Sequence, residues 1–189
     1  MRDGTATKEL IKRTALRLFA KKGITETTIR DIASAAKIAE GTMYRHYASK
    51  EDLAWSLFAE NYTALGRELR RVQKRETTAR RKLTVMIRYF CNVFERDADM
   101  FTYLFLARHR QMQKITPRMP NPYFVFRTVI KEGMVHGEIP REDPDVAASM
   151  VMGVILQVID SSLLGQRIRP GIHRLADTII AACLRVLKV

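Results

Sequence analysis

Cysteine is scarce in this chain. Cys91 and Cys183 are the only two, and each sits inside an apolar helical pattern. That pattern predicts buried, reduced thiols rather than a disulfide or a redox pair. Long apolar runs are also missing. The longest, residues 146–159, is interrupted by Ser149 and Gln157. It falls short of the roughly 20 residues that a bilayer crossing requires. The first ten residues are polar, so no secretory leader is expected. A cytoplasmic protein with no membrane partner is the expectation. Signatures of catalysis are lacking too, since the sequence holds no P-loop, no GxSxG and no HExxH. The four histidines, His46, His109, His136 and His173, lie too far apart for metal-ligand spacing. His109, flanked by Arg108 and Arg110, reads as a surface group. No enzymatic activity, no metal and no cofactor are expected, and there is no internal repeat or low-complexity tract.

What is present is apolar residues in helical register and an excess of positive charge. A hydrophobic fraction of 47% is enough to fill a core. Lys and Arg number 33 against 20 Asp and Glu, a net charge of +13, which favours a polyanionic partner. Residues 1–50 hold 11 basic and five acidic side chains, a net +6. The basic density is therefore highest at the N-terminus.

Strand signals are scarce, and the periodicity predicts an all-α chain of about nine helices. A first helix starts near Thr7, carries Ile11, Ala15, Leu18 and Phe19 on one face, and stops at Gly23. Thr28 caps the second, with Asp31 three residues on as a capping-box partner. Its buried stripe is Ile29, Ile32, Ala33 and Ala36. A short third helix covers about Ala39 to Tyr47, with Met43 and Tyr47 turned inward. Ser49 and Asp52 cap a fourth, whose stripe is Ala54, Phe58, Tyr62, Leu65 and Leu69. Further helices are expected around residues 83–94, 100–111, 122–135, 146–159 and 172–187. Asp143 or Asp145 opens the eighth, and Arg169-Pro170-Gly171 makes a turn before the ninth.

Three short helices within about 45 residues, with a tight turn between the second and third, form a helix-turn-helix arrangement. The third helix then presents Glu40, Gly41, Thr42, Tyr44, Arg45 and His46 outward. Gly41 permits close backbone approach to DNA. Arg45 suits a two-pronged hydrogen bond to guanine and Thr42 a thymine methyl. Tyr44 and His46 suit phosphates. Thr28 and Lys50 stand at helix starts, where free N–H groups favour phosphate. Glu40 repels phosphate, so it either accepts from cytosine or points away.

Three segments, Thr27-Thr28-Ile29-Arg30-Asp31-Ile32-Ala33, residues 38–47 (Ile-Ala-Glu-Gly-Thr-Met-Tyr-Arg-His-Tyr) and Ser49-Lys50-Glu51-Asp52-Leu53, together resemble the DNA-binding domain of the TetR family of bacterial repressors. Leu18-Phe19-Ala20-Lys21-Lys22-Gly23-Ile24 matches as well. The motif resemblance covers roughly the first 55 residues. It implies a helix-turn-helix domain over 1–49 and a helical ligand-binding and dimerisation domain over 50–189. It adds Thr27 to the expected DNA-facing set. Two positions depart from the family pattern. Lys37 stands where a turn glycine is usual, and Ala39 where Ser or Thr usually caps the third helix. Lys37 is a candidate to hold the phosphate that a capping hydroxyl at position 39 would otherwise meet.

The resemblance further implies a homodimer, a near-palindromic double-stranded operator and a small-molecule effector of apolar character. The expected dimer helices are the last and the 146–159 helix, with Val151, Ile155, Val158, Leu175, Ile179, Cys183 and Val186 at the interface. The expected pocket lining is Phe58, Tyr62, Met86, Phe90, Phe94, Phe105, Phe124 and Met134. The basic run Arg70, Arg71, Lys74, Arg75, Arg80, Arg81, Lys82 reads as a solvated surface, with an anionic-ligand site as the alternative. The function expected is a ligand-responsive transcriptional regulator, a repressor released by a small molecule. The rival is a nucleoid or division-linked DNA-binding factor without such a switch.

Overall fold

A computed structural model of the protein describes residues 4–116, 118–163 and 172–189. Among these residues there are nine α-helices and no strand. They are α1 (Gly4–Glu26), α2 (Ile29–Ala36), α3 (Glu40–His46), α4 (Lys50–Gln73), α5 (Ala79–Arg96), α6 (Ala98–Gln111), α7 (Pro122–Val135), α8 (Pro144–Leu163) and α9 (Ile172–Val186). The expected turn at 169–171 lies outside the described residues.

The helix ends obey the capping rules read from the sequence. Thr28 Oγ1 accepts from the Asp31 N–H at 3.0 Å, while the Asp31 carboxylate accepts from the Thr28 N–H at 3.0 Å. These two bonds satisfy donors that helix geometry would leave free. Ser49 Oγ accepts from the Asp52 N–H at 3.0 Å, and Asp52 reaches back to the Ala48 N–H at 3.1 Å. Asn121 caps α7 and Pro122 opens it, where a missing N–H costs nothing. Asp143, not Asp145, caps α8, accepting from the Asp145 N–H at 2.7 Å. Asp145 is instead engaged by Arg127, whose Nε lies 2.6 Å from its carboxylate. α1 begins at Gly4, ahead of the expected Thr7, and its helical span continues to Glu26 through a kink at Gly23. Gly23 has φ 82°, a left-handed conformation open to glycine at little cost.

Contacts divide the chain into two compact units. The first comprises residues 1–61 and 98–116; the second comprises 62–97 and 117–189. This is not the division at 49/50 expected from the sequence. The first unit takes in the start of α4 and the whole of α6.

In the first unit α6 lies along α1. The Phe19 and Tyr103 rings stack at 5.7 Å, and both side chains are fully buried. The Tyr103 hydroxyl donates to the Ala54 carbonyl, tying α6 to α4. Burial pushes that hydroxyl well above its ordinary pKa, so it stays a neutral donor. Ile11, Ala15, Ile32, Met43 and Leu53 complete the core, each at most 1% exposed. Burying the larger of these side chains contributes about 1.5–3 kcal/mol apiece.

In the second unit α5 packs on α9 and α7, and α8 packs on α7 and α9. Phe90 meets Phe126 edge-on, with ring centres 6.4 Å apart. Glu138 Oε2 accepts from the Ala79 N–H at 2.7 Å, so a carboxylate of the chain itself occupies the start of α5. Gly66 of α4 touches the backbone before α7. A Cβ there would lie 2.6 Å from Asn121 Cα, closer than real side chains come.

Two expectations are revised by this packing. The apolar stretch at 146–159 is the middle of a 20-residue helix, α8, which by length and composition is long and apolar enough to cross a bilayer. Its buried face, Ala147, Ala148, Val151, Ile155 and Ile159, belongs to the protein interior. Val151, Ile155, Ile179 and Cys183 are at most 3% exposed within a single chain. They hold the second unit together and are not surface available to a partner. Of the expected dimer set, only Val158, Leu175 and Val186 are partly exposed. Both cysteines are free and buried as expected. Burial pushes the Cys91 thiol up to about 11 and the Cys183 thiol up to about 12, so neither is a thiolate at neutral pH.

Candidate DNA-binding surface

The surface is built on α2 and α3 and the three residues between them. Lys37 ends α2 with φ 53° and ψ 49°, a left-handed conformation that sends the chain back across the helix end. Its N–H donates to Ser34 O at 3.1 Å, and the next N–H, of Ile38, donates to Ala33 O at 3.0 Å. These bonds close the C-terminus of α2. Ala39 then starts α3 without a side-chain cap. Both departures from the family pattern therefore have structural consequences: one strained lysine and one uncapped helix.

α3 is held by two side chains. Met43 is 1% and Tyr47 5% exposed, four residues apart on one face. Tyr47 is further covered by Lys8, whose Nζ lies 5.7 Å from the ring centre. That anchoring turns the opposite face to solvent. Glu40, Gly41, Tyr44 and Arg45 are exposed, while Thr42 and His46 are half-buried. Tyr44 is 58% exposed. Arg45 Nη2 donates to Thr42 Oγ1 at 3.0 Å, which orients the guanidinium along the helix. A concavity of about 560 Å³ runs beside α3, lined by Gly4, Thr7, Lys37, Ile38, Ala39, Thr42, Arg45 and His46.

Of the other expected contacts, Thr28 is exposed at the start of α2 and Lys37 is exposed in the turn. The Asp31 carboxyl is held below its ordinary pKa, chiefly by the Thr28 N–H, then by the Thr28 hydroxyl and the charge of Lys22. Lys50 donates from Nζ to the Thr25 carbonyl at 3.1 Å, so its ammonium lies beside the chain entering α2. Thr27 departs from expectation. It is fully buried, and its hydroxyl donates to the Gly23 carbonyl at 2.7 Å. Its work is to lock the kink, because a buried hydroxyl has no route to a phosphate.

The expected pocket residues do not share one unit. Phe58 and Phe105 fall in the first, and Tyr62, Met86, Phe90, Phe94, Phe124 and Met134 in the second. Met86, Phe90, Phe94 and Met134 are buried there, whereas Tyr62 and Phe124 are half-exposed. Phe105 is covered by Arg108, with its guanidinium 4.9 Å from the ring centre. Sequence reasoning missed the charged end of α6. Arg110 Nη1 donates to Thr25 Oγ1 at 3.3 Å, across 85 residues. The run Arg108-His109-Arg110 was the available signal, but nothing in it told which helices it faces.

Two helices joined by a three-residue turn, the second offering a short polar face, define a helix-turn-helix DNA-binding protein. Comparison with known proteins makes this definite. Residues 11–57 match the family described as bacterial regulatory proteins, tetR family. The "Fatty acid metabolism regulator protein" of Bacillus subtilis is 27% identical over 162 residues, spanning 81% of each chain. The "HTH-type transcriptional repressor KstR2" of Mycolicibacterium smegmatis is 27% identical over 137 residues, covering 70% of this chain and 66% of that one. Among solved structures, the fatty acid degradation regulator FadR of Bacillus halodurans shares the fold with a TM-score of 0.82 at 21% identity, over 94% of both chains. FadR of Bacillus subtilis in complex with stearoyl-CoA does so at 0.79 and 22%, over 93% of this chain and 96% of that one. Residues 11–57 are thus a tetR-family DNA-binding domain, and the chain is a DNA-binding transcriptional regulator.

Proposed function

We propose that this regulator represses its target genes as a homodimer on a near-palindromic operator and lets go when it binds a long-chain acyl-CoA. The observation that carries the DNA half is the outward polar face of α3, fixed by Met43 and Tyr47 beneath it. The ligand half is supported by likeness extending across most of the chain to a fatty acid metabolism regulator, and by the fold shared with a stearoyl-CoA complex. Buried methionines and phenylalanines in the second unit suit an apolar effector, since thioethers and rings adapt to a flexible chain. A cytoplasmic site of action follows from work on DNA, and no catalytic step is assigned.

Dimerisation is placed on the outer face of α8 and α9, not on the side chains they bury. Val146 and Met150 are 53% and 39% exposed, one helical turn apart. With the partly exposed Val158, Leu175 and Val186 they supply apolar surface that a two-fold interface would cover. Two copies then present two α3 helices symmetrically, which is why the operator is a near-palindrome.

The test is release. Purified protein is bound to its selected operator and titrated with stearoyl-CoA, free coenzyme A or stearate. Displacement by stearoyl-CoA and not by coenzyme A supports the reading. An operator complex indifferent to all three, in a chain that binds DNA normally, contradicts the acyl-CoA half and favours a factor without that switch.

A further inference from the structure

Positive charge gathers beside the helix-turn-helix from outside it. Thr25 lies between the Gly23 kink and the Thr28 cap. Lys50 of α4 donates to its carbonyl at 3.1 Å, and Arg110 of α6 donates to its hydroxyl oxygen at 3.3 Å. Lys22 of α1 lines the same crevice, of about 300 Å³, as Thr25 and Arg110. Lys22 Nζ stands 3.9 Å from the Asp31 carboxylate that closes the α2 cap. The atoms that Lys50 and Arg110 touch here are neutral oxygens, so neither charge is neutralised by these bonds. Lys22, Thr25 and Arg110 are exposed and Lys50 half-buried, so water and ions reach the cluster.

Like charges drawn together from three helices repel, and a bound anion relieves that cost. The neighbouring start of α2 adds the positive end of a helix dipole, which the Asp31 carboxylate of the cap already meets in part. Arginine is suited to the role because its planar fork holds two phosphate oxygens at once. We infer that Arg110, with Lys22 and Lys50 beside it, grips a backbone phosphate next to the groove that α3 enters, making α6 a DNA-contacting element. The inference rests on the DNA-binding reading of α3. It adds affinity and register, not sequence choice, because phosphates are the same at every base pair.

The experiment measures operator binding by the full chain between about 50 and about 200 mM salt, where each phosphate contact contributes about 0.9 to the slope of log K against log salt. Arg110→Ala is compared with Arg110→Lys and with Arg141→Ala, a change at an exposed position in the second unit. The expected result is a slope smaller by about 0.9 and binding about eightfold weaker at about 0.1 M salt for each contact removed, one per subunit, with the ranking of operator variants unchanged. Arg110→Lys keeps most of the slope, and Arg141→Ala leaves it alone. If Arg110→Ala binds with the wild-type slope, the inference fails. It fails equally if Arg110→Ala lowers the melting midpoint and Arg110→Lys does not restore the slope, since Arg110 would then be a brace. A wild-type chain that binds no duplex overturns the DNA reading itself, which is a different result.

Discussion

At the scale of single residues, the turn between α2 and α3 carries backbone strain. Lys37 holds φ 53°, where a Cβ crowds the following carbonyl at a cost of about 1–2 kcal/mol. Lys37→Gly should therefore raise stability by about 1 kcal/mol, less what glycine adds to unfolded-chain entropy. A urea midpoint measures this, and no gain would mean the turn is relaxed as it stands. If Lys37 meets phosphate, the same variant binds DNA more weakly while melting later. Thr27 gives the opposite case. Thr27→Val keeps the volume but leaves the Gly23 carbonyl without its hydroxyl partner in the interior, so a loss of about 1–3 kcal/mol is expected. Asp31 sets a pH dependence. Its folded pKa lies below the ordinary value of 3.8, so its stabilisation is present above that value and lost as pH falls through the lowered one. Asp31→Ala should remove that part of the acid unfolding curve; an unchanged curve would show that the cap contributes nothing to it.

At the scale of elements, helical periodicity made most of the chain legible. Helix starts and faces follow from residues such as Thr28, Ser49, Met43 and Pro122, whose roles are local and repeat every 3.6 residues. Partner choice was not legible. α6 carries Phe101, Tyr103 and Leu104 on a buried face, but nothing in that face says it belongs with α1 rather than α5. α8 is apolar on two sides, so Val151 and Ile155 read as well for a dimer as for the interior that they fill. Gly66 gave no sequence signal, since its role is an approach to Asn121 that only the folded chain reveals. Gly66→Ala should force α4 away from the α7 cap and destabilise the protein by about 1–3 kcal/mol, the range for overpacking a tight contact. A neutral result would mean that the Pro120–Asn121 backbone yields freely.

At the scale of the whole molecule, an excess of +13 favours DNA, and the proposed source of sequence choice is one short helix, α3. Base readout and charge separate cleanly in their effects. Arg45→Ala should relax preference at one position of each half-site, worth about 1–3 kcal/mol if the guanidinium engages guanine as a fork. Lys50→Ala should weaken binding to all sequences alike and reduce the salt slope by about 0.9 per contact. Equal losses on every duplex from Arg45→Ala would reassign that side chain to the backbone.

The most direct measurement is selection of bound duplexes from a random pool by the protein at low salt, repeated with Tyr44→Ala/Arg45→Ala. The wild type is predicted to enrich a near-palindrome, and the double variant to lose that enrichment while keeping weak, salt-sensitive binding. A wild type that enriches no sequence, or a double variant that enriches the same one, would show that α3 does not read DNA.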